Sequence, residues 1–255
     1  MTAALSEVSR FLDSFLRIAE IPDEPNAVNG LQVENGGVVA RVVSAVDATL
    51  ETIAGIQPGD PALLLVHHGL FWDGNVPLIG RRFRRVKALL DRDTALYAAH
   101  IPLDLHPEVG NNVELARRIG LPVDGWFGAY RGAPIGVWGT APEPIADRSA
   151  LVAVLDSHLG TTSRLIPGGP ARVRRLGIVT GGAGSMIAAA RDAGLDTFIT
   201  GEGAHHTYFD AMEWGLNLIY AGHYATEQVG VQALAQRLED EFGLPWEFHH
   251  HPTGM

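Results

Sequence analysis

Three short strings in this sequence hold side chains that bind divalent cations, and each follows an apolar run. The first is His67, His68 and Gly69, behind the run 63–66. Two imidazoles at the end of a buried strand, beside a glycine that lets the chain turn, stand where open α/β sheets present their ligands. Successive strand residues point to opposite faces, so the pair is expected to serve two neighbouring ions more easily than one. The competing reading is one core histidine and one solvated histidine. The second string runs from His100 through Pro102 to Asp104. Asp104 offers a carboxylate, and His100 would orient it or bind directly, although an aspartate there also suits a turn or a helix cap. The third contains His223 and Glu227. Four positions apart on a helix, they share one face with β-carbons about 5–6 Å apart. The plainer alternative is a structural histidine with an acid near a helix N-terminus.

The chain has 255 residues, 11 histidines and no cysteine. Thiolate sites, disulfides and cysteine nucleophiles are therefore excluded, and any metal is held by nitrogen and oxygen. Two divalent ions facing Asp104 and Glu227 would keep a formal charge of about +2, which attracts hydroxide and an anionic substrate. One carboxylate, for which Glu227 is suited, would bridge the ions, and a separation of about 3.5–4 Å would let them clamp attacking and leaving atoms. The formal net charge of −10 opposes binding of nucleic acid or anionic membrane across the whole surface. No sequence-specific nucleic-acid partner and no membrane partner is expected. No apolar stretch approaches a membrane span, and the N-terminus lacks a basic start with an apolar core, so a cytoplasmic location is expected. His249, His250 and His251 are too few for an expression tag and are read as native.

Three further strings have weaker claims. Glu202 and His206 are four apart behind the run 197–200; with His100 they are the candidates for general acid or base, against cap and surface readings. The glycine-rich segment 180–185 lies between a strand and a helix. Its amides would cradle a phosphate or simply make a tight turn, and with no lysine it is not a Walker loop. The basic run 81–87 would contact nucleotide phosphate or a neighbouring subunit, or form a solvated helix face.

The elements that must position these groups are legible as alternating patterns. Apolar spacing over 5–16 predicts an amphipathic helix. The runs 39–46, 62–66, 95–99, 135–138, 176–179, 197–200 and 216–220 predict buried strands. Helices are expected over 50–56, 83–90, 113–119, 149–159, 185–193, 205–214 and 227–242. Strands alternating with helices imply an α/β class with mainly parallel or mixed sheets. The Gly- and Pro-rich stretch 126–144 is the expected seam between two α/β lobes, 1–130 with 222–255 and 131–221, with the metal site in the cleft between them.

His67-His68-Gly69, the 100–104 string and the 222–227 string, with Asn29-Gly30-Leu31-Gln32-Val33 upstream, resemble the dinuclear-metal-centre family known as GTP cyclohydrolase I type 2 homologues and related to the Ngg-interacting-factor proteins. The resemblance runs over essentially the whole chain. It implies metal ligands at His67, His68, Asp104, His223 and Glu227, with Glu227 bridging, two α/β lobes, and a ring-like homohexamer. It also implies the short form, with no room between Pro144 and Arg172 for an inserted domain. The two divalent ions could be Zn, Fe, Mn, Co or Ni.

The leading functional expectation is a metal-dependent hydrolase, cyclohydrolase-like or a phosphoesterase, that directs activated water at a small anionic, nucleotide-like or phosphorylated substrate. The alternative is a non-catalytic metal carrier or sensor, or an oligomeric adaptor. Five ligands shared by two ions favour an open site and hence chemistry.

Overall fold

A computed structural model describes residues Met1–Met255. In chain order the elements are β1 (Ala3–Ala4), α1 (Leu5–Phe15), β2 (Gly30–Val33), β3 (Val38–Val39), β4 (Arg41–Asp47), α2 (Leu50–Gly55), β5 (Ala62–His68), α3 (Gly80–Leu90), β6 (Thr94–Ala98), α4 (Ile101–Asp104) and α5 (Asn111–Arg118). They continue as β7 (Gly125–Tyr130), β8 (Ala133–Thr140), α6 (Arg148–Leu159), β9 (Arg164–Pro167), β10 (Arg175–Ile178), α7 (Ile187–Asp192), β11 (Thr197–Thr200), α8 (Thr207–Trp214), β12 (Asn217–Tyr220), α9 (His223–Phe242) and β13 (Trp246–Phe248). This is the expected mixed α/β class. The chain forms two compact units, Met1–Leu103 with Val231–His251, and Asp104–Gly230 with Pro252–Met255.

The first unit holds a five-stranded sheet in the order β13-β4-β5-β6-β2, parallel except for β2. Residues 63–66 of β5 are all buried, as a strand covered on both faces requires. Its core joins Val43, Leu64, Val66 and Leu96 to Ile53 and Ile56 around α2 and to Leu89 of α3. Thr49 caps α2, its Oγ1 accepting from the Thr52 amide at 3.1 Å, so the crossover from β4 starts as a helix at once.

The second unit holds a six-stranded mixed sheet in the order β7-β8-β10-β11-β12-β9, whose central strands β10, β11 and β12 are parallel. Leu176, Ile178, Ile199 and Ile219 pack on Leu151 and Leu155 of α6 and on Leu115 of α5. The Asp147 carboxylate caps α6 by accepting from the amides of Ser149 and Ala150.

The boundaries differ from those expected. The stretch 126–144 is no seam: β7 and β8 pair across it as an antiparallel hairpin that edges the second sheet. Its glycines serve close packing, since a Cβ on Gly136 would lie 2.4 Å from the Phe127 ring. The division falls instead after Leu103, and residues 104–130, expected with the first lobe, belong to the second. Residues 222–230 likewise belong to the second unit.

Candidate metal centre

In the first unit the candidate ligands sit at the C-terminal ends of the parallel strands. Asp47 closes β4 and pairs in register with His68, which closes β5. One strand further on, Val66 pairs with Ala98 of β6, so His100 leaves the sheet beside them. The alternation expected of His67 and His68 breaks down at this strand end. Their ring centroids are 4.7 Å apart, and the ring of His100 lies 5.0 Å from His67 and 5.7 Å from His68. The ligand atoms of the three histidines lie within 4.8 Å of one another. Trp72 packs edge-on against His100 at 5.0 Å and His68 at 6.0 Å, and walls the cluster.

Each imidazole is held through Nδ1. His67, fully buried, has Nδ1 2.8 Å from the Ala99 carbonyl oxygen, which can only accept, so Nδ1 carries the proton. His68 Nδ1 lies 2.9 Å from Asp47 Oδ1, and His100 Nδ1 lies 2.9 and 3.1 Å from the two Asp23 oxygens. A carboxylate or carbonyl on Nδ1 fixes the tautomer and turns Nε2 towards a metal, the arrangement of most metal-ligating histidines. Burial alone would raise the Asp23 pKa, but the hydrogen bond and charge of His100, with donors from Asn29 and the Ile101 amide, outweigh it and bring the pKa below 3.8. The 29–33 string explains itself here. Asn29 accepts from the His100 amide at 2.8 Å and donates to Asp23, while Gln32 Oε1 accepts from the Leu70 amide at 2.8 Å. A Cβ on Gly69 would lie 2.3 Å from the Gln32 amide nitrogen, so any larger residue there would push Gln32 off the Leu70 amide and the carbonyls of Ala27 and Val28.

In the second unit the same ends of β10, β11 and β12 carry the groups. His223 opens α9, four residues earlier than the expected helix start, and its Nε2 lies 3.1 Å from Glu227 Oε2. Its Nδ1 lies 2.8 Å from Glu202 Oε1. The hydrogen bond to Glu227 raises the His223 pKa against the opposing effect of burial, and with Glu227's charge and Glu202 it reaches about 9. Both ring nitrogens face carboxylate oxygens, which only accept, so each carries a proton. Asp104 is buried, with Oδ1 accepting from Asn111 Nδ2 at 2.8 Å. Asn111 also accepts from the Gly230 amide of α9 at 2.7 Å, and Asn112 accepts from the Thr180 amide at 2.8 Å. Buried asparagines thereby join Asp104 to α9, which carries His223 and Glu227, and to the loop after β10.

That loop, 180–184, does not present its amides as a phosphate cradle. Gly181 N donates to Thr226 Oγ1, Ala183 N to Thr200 Oγ1, and Gly184 N to the Glu202 carbonyl. Its glycines let it press on α9: with φ at +70°, Gly181 approaches so closely that a Cβ would lie 2.1 Å from Glu227 Oε1. The tight-turn reading holds.

The remaining expectations divide. Glu202 meets His223, its Oε1 2.8 Å from Nδ1. His206 is exposed at the start of α8 and makes no hydrogen bond or ion pair through its side chain. The basic run lies on α3, where Arg82 bonds to the carbonyls of Gly74 and Val76, Arg81 pairs with Asp73 and Lys87 with Asp91. His249 and His251 lie beside Glu247 and Glu51 at 3.4 and 3.7 Å. Sequence reasoning passed over Asp23, Asp47, Asn111 and Asn112. Asp47 carried a usable signal, as the only acid ending an apolar run next to the His67-His68 strand. Asp23 carried none, lying 77 positions from its partner.

Imidazole nitrogen held by an oxygen partner, together with buried carboxylate, is the donor chemistry of first-row divalent ions, and the residues present fit such ions. Fold and donors together define an α/β protein with imidazole and carboxylate groups gathered at the ends of parallel strands. The chain belongs to the Duf34/NIF3 family (NGG1p interacting factor 3), whose profile matches residues 3–253. It is 42% identical over 254 residues to the GTP cyclohydrolase 1 type 2 homolog of Deinococcus radiodurans, covering 98% of this chain and 94% of that protein. The protein of the same name from Pseudomonas aeruginosa is 41% identical over 245 residues, 96% of each chain. Among solved structures, TTHA1606 from Thermus thermophilus matches with a TM-score of 0.86 at 39% identity, covering 99% of this chain and 100% of that one. No helix is long and apolar enough to cross a membrane.

Proposed function

We propose that the protein is a metal-dependent hydrolase whose two divalent ions are held by His67, His68, Asp104, His223 and Glu227, with Glu227 bridging. The substrate in this reading is a small anionic molecule, nucleotide-like or phosphorylated, as the GTP cyclohydrolase 1 type 2 homolog name of its relatives implies. The observation that carries the reading is the common treatment of four imidazoles: each has Nδ1 tied to an oxygen, which commits Nε2 to the opposite side, where that of His223 meets the Glu227 carboxylate. Two ions bound there supply Lewis acidity and bring the pKa of water towards about 7.

The chain's own groups then divide the work. Asp47 and Glu202 orient His68 and His223 and raise their basicity as ligands. Of the three acid–base candidates, His100 has the geometry that supports proton transfer. Its Nδ1 donates to Asp23, so Nε2 can accept a proton while the carboxylate stabilises the charged ring. Glu202 is committed to His223, and His206 has no tie to the donors. Trp72 shields the histidine cluster from water on one side. Self-association to a homohexamer belongs to the same reading and is checked by light scattering.

Purified protein loaded with Zn, Mn, Fe, Co or Ni and screened against nucleoside triphosphates and phosphoesters tests the proposal. Turnover that is lost in Glu227→Ala together with bound metal supports it. Metal binding without turnover of any substrate in any metal form favours the carrier reading instead.

A further inference from the structure

We propose that the cavity beside Glu202 is a binding subsite for a planar nitrogen heterocycle bearing an anionic tail, the chemistry of a purine nucleotide. The proposal rests on the hydrolase reading for its role but on separate residues for its binding.

The cavity, about 380 Å³, lies wholly within the second unit and is lined by Arg164, Glu202, His205, Tyr208, Phe209 and Tyr220 among others. That volume falls within the range of small-molecule sites, about 300–1,000 Å³. Its wall is aromatic and accessible: Tyr208 and Phe209 keep 41% and 50% of their surface exposed. They pack edge to face at 5.4 Å, and His205 meets Phe209 edge to face at 5.5 Å, so the rings hold one another upright around the opening. Tyr220 closes another side. Its hydroxyl is hydrogen-bonded to Thr207, and Gly203 packs so tightly on it that a Cβ would lie 2.4 Å from the phenol oxygen. The concavity is therefore fixed by the fold before any ligand arrives. Accessible aromatic faces around a rigid hollow bind flat π systems.

Two charged groups give the hollow a direction. Arg164 stands opposite Tyr220 in the β9–β12 pairing, exposed and in no ion pair, and is suited to an anionic tail. Glu202 uses Oε1 for His223 while its side chain remains 43% exposed, so its carboxylate has acceptor capacity left for a ring N–H. A heterocycle stacked on Phe209 with its tail at Arg164 and its N–H edge at Glu202 would have that edge joined through one carboxylate to the ligand His223.

Calorimetric titration of the zinc-loaded chain with guanosine 5′-monophosphate, guanosine and ribose 5-phosphate tests this, with zinc content measured on every sample. Arg164→Ala is expected to weaken the nucleotide by about tenfold and to leave guanosine unchanged, as loss of one charge contact does. Phe209→Leu keeps apolar bulk without the ring; it is expected to weaken nucleotide and nucleoside alike and leave ribose 5-phosphate unchanged. Nucleotide affinity unchanged in both variants, or no heat with the nucleotide on the unaltered chain, overturns the subsite. A chain that binds nucleotide in this pattern but holds no zinc keeps the subsite and overturns the hydrolase reading.

Discussion

Replacing Asn111 with alanine removes a fully buried side chain that holds both Asp104 and the helix carrying His223 and Glu227. The lost bond to the Asp104 carboxylate, 2.8 Å long, is of the charged kind and contributes about 1.5–3 kcal/mol. The bond accepted from the Gly230 amide, 2.7 Å long, is neutral and adds about 1 kcal/mol. Asn111→Ala is thus expected to lower the stability of the metal-free chain by about 3 kcal/mol. Because Asp104 also loses the donor that orients it, metal affinity should fall by about 10–100-fold, the usual cost of removing a group that holds a ligand. Urea unfolding in the presence of a chelator reads the first effect, and competition with a chromophoric chelator reads the second. A variant within about 0.5 kcal/mol of the parent, with unchanged metal affinity, would refute the reasoning.

Gly181→Ala places a methyl 2.1 Å from Glu227 Oε1 at a backbone φ of +70°; zinc titration should show affinity reduced by about tenfold or more, with a stability loss of about 1–3 kcal/mol. Asp23 has a pKa below 3.8 in the fold, so its contribution to stability is complete above that value and is lost as pH falls through the lower folded-state value. Asp23→Asn should therefore be less stable than the parent at neutral pH and lose less of its stability on acidification, as unfolding curves at neutral pH and at about pH 3 will show. Glu202→Gln, if Glu202 positions His223, should lower zinc affinity by about tenfold. A drop in turnover with unchanged zinc affinity would make it an acid–base group instead.

Most of the fold could be read because the six strands β4, β5, β6, β10, β11 and β12 are covered on both faces and so appear as continuous apolar runs. The edges could not. β7 is broken by Gly125 and Gly128 and has one buried position among its six residues, and β9 begins with an exposed Arg164 and ends in Pro167, so neither reads as a buried β-branched run. The seam at 126–144 was misplaced for the same reason: glycines that admit Phe127 and Pro122 between close-packed strands look like linker residues when only the sequence is seen. Candidate ligands stood out because they follow buried strands directly. Their anchors did not, since Asp23, Asp47 and Asn111 become informative only when pairing brings them to a histidine, a carboxylate or a helix amide. α9 starts at His223 and not at 227 because its first turn, His223 to Thr226, carries no continuous apolar stripe to mark it as helix.

In the proposed function these imidazoles and carboxylates hold a pair of metal ions. Elemental analysis of the chain purified without added metal and then saturated with zinc, with Glu227→Ala treated alongside, tests it most directly. Two ions per chain are expected at saturation, with at least one of them lost in the variant. Fewer than two ions on the unaltered chain, or two ions retained in Glu227→Ala, would contradict it.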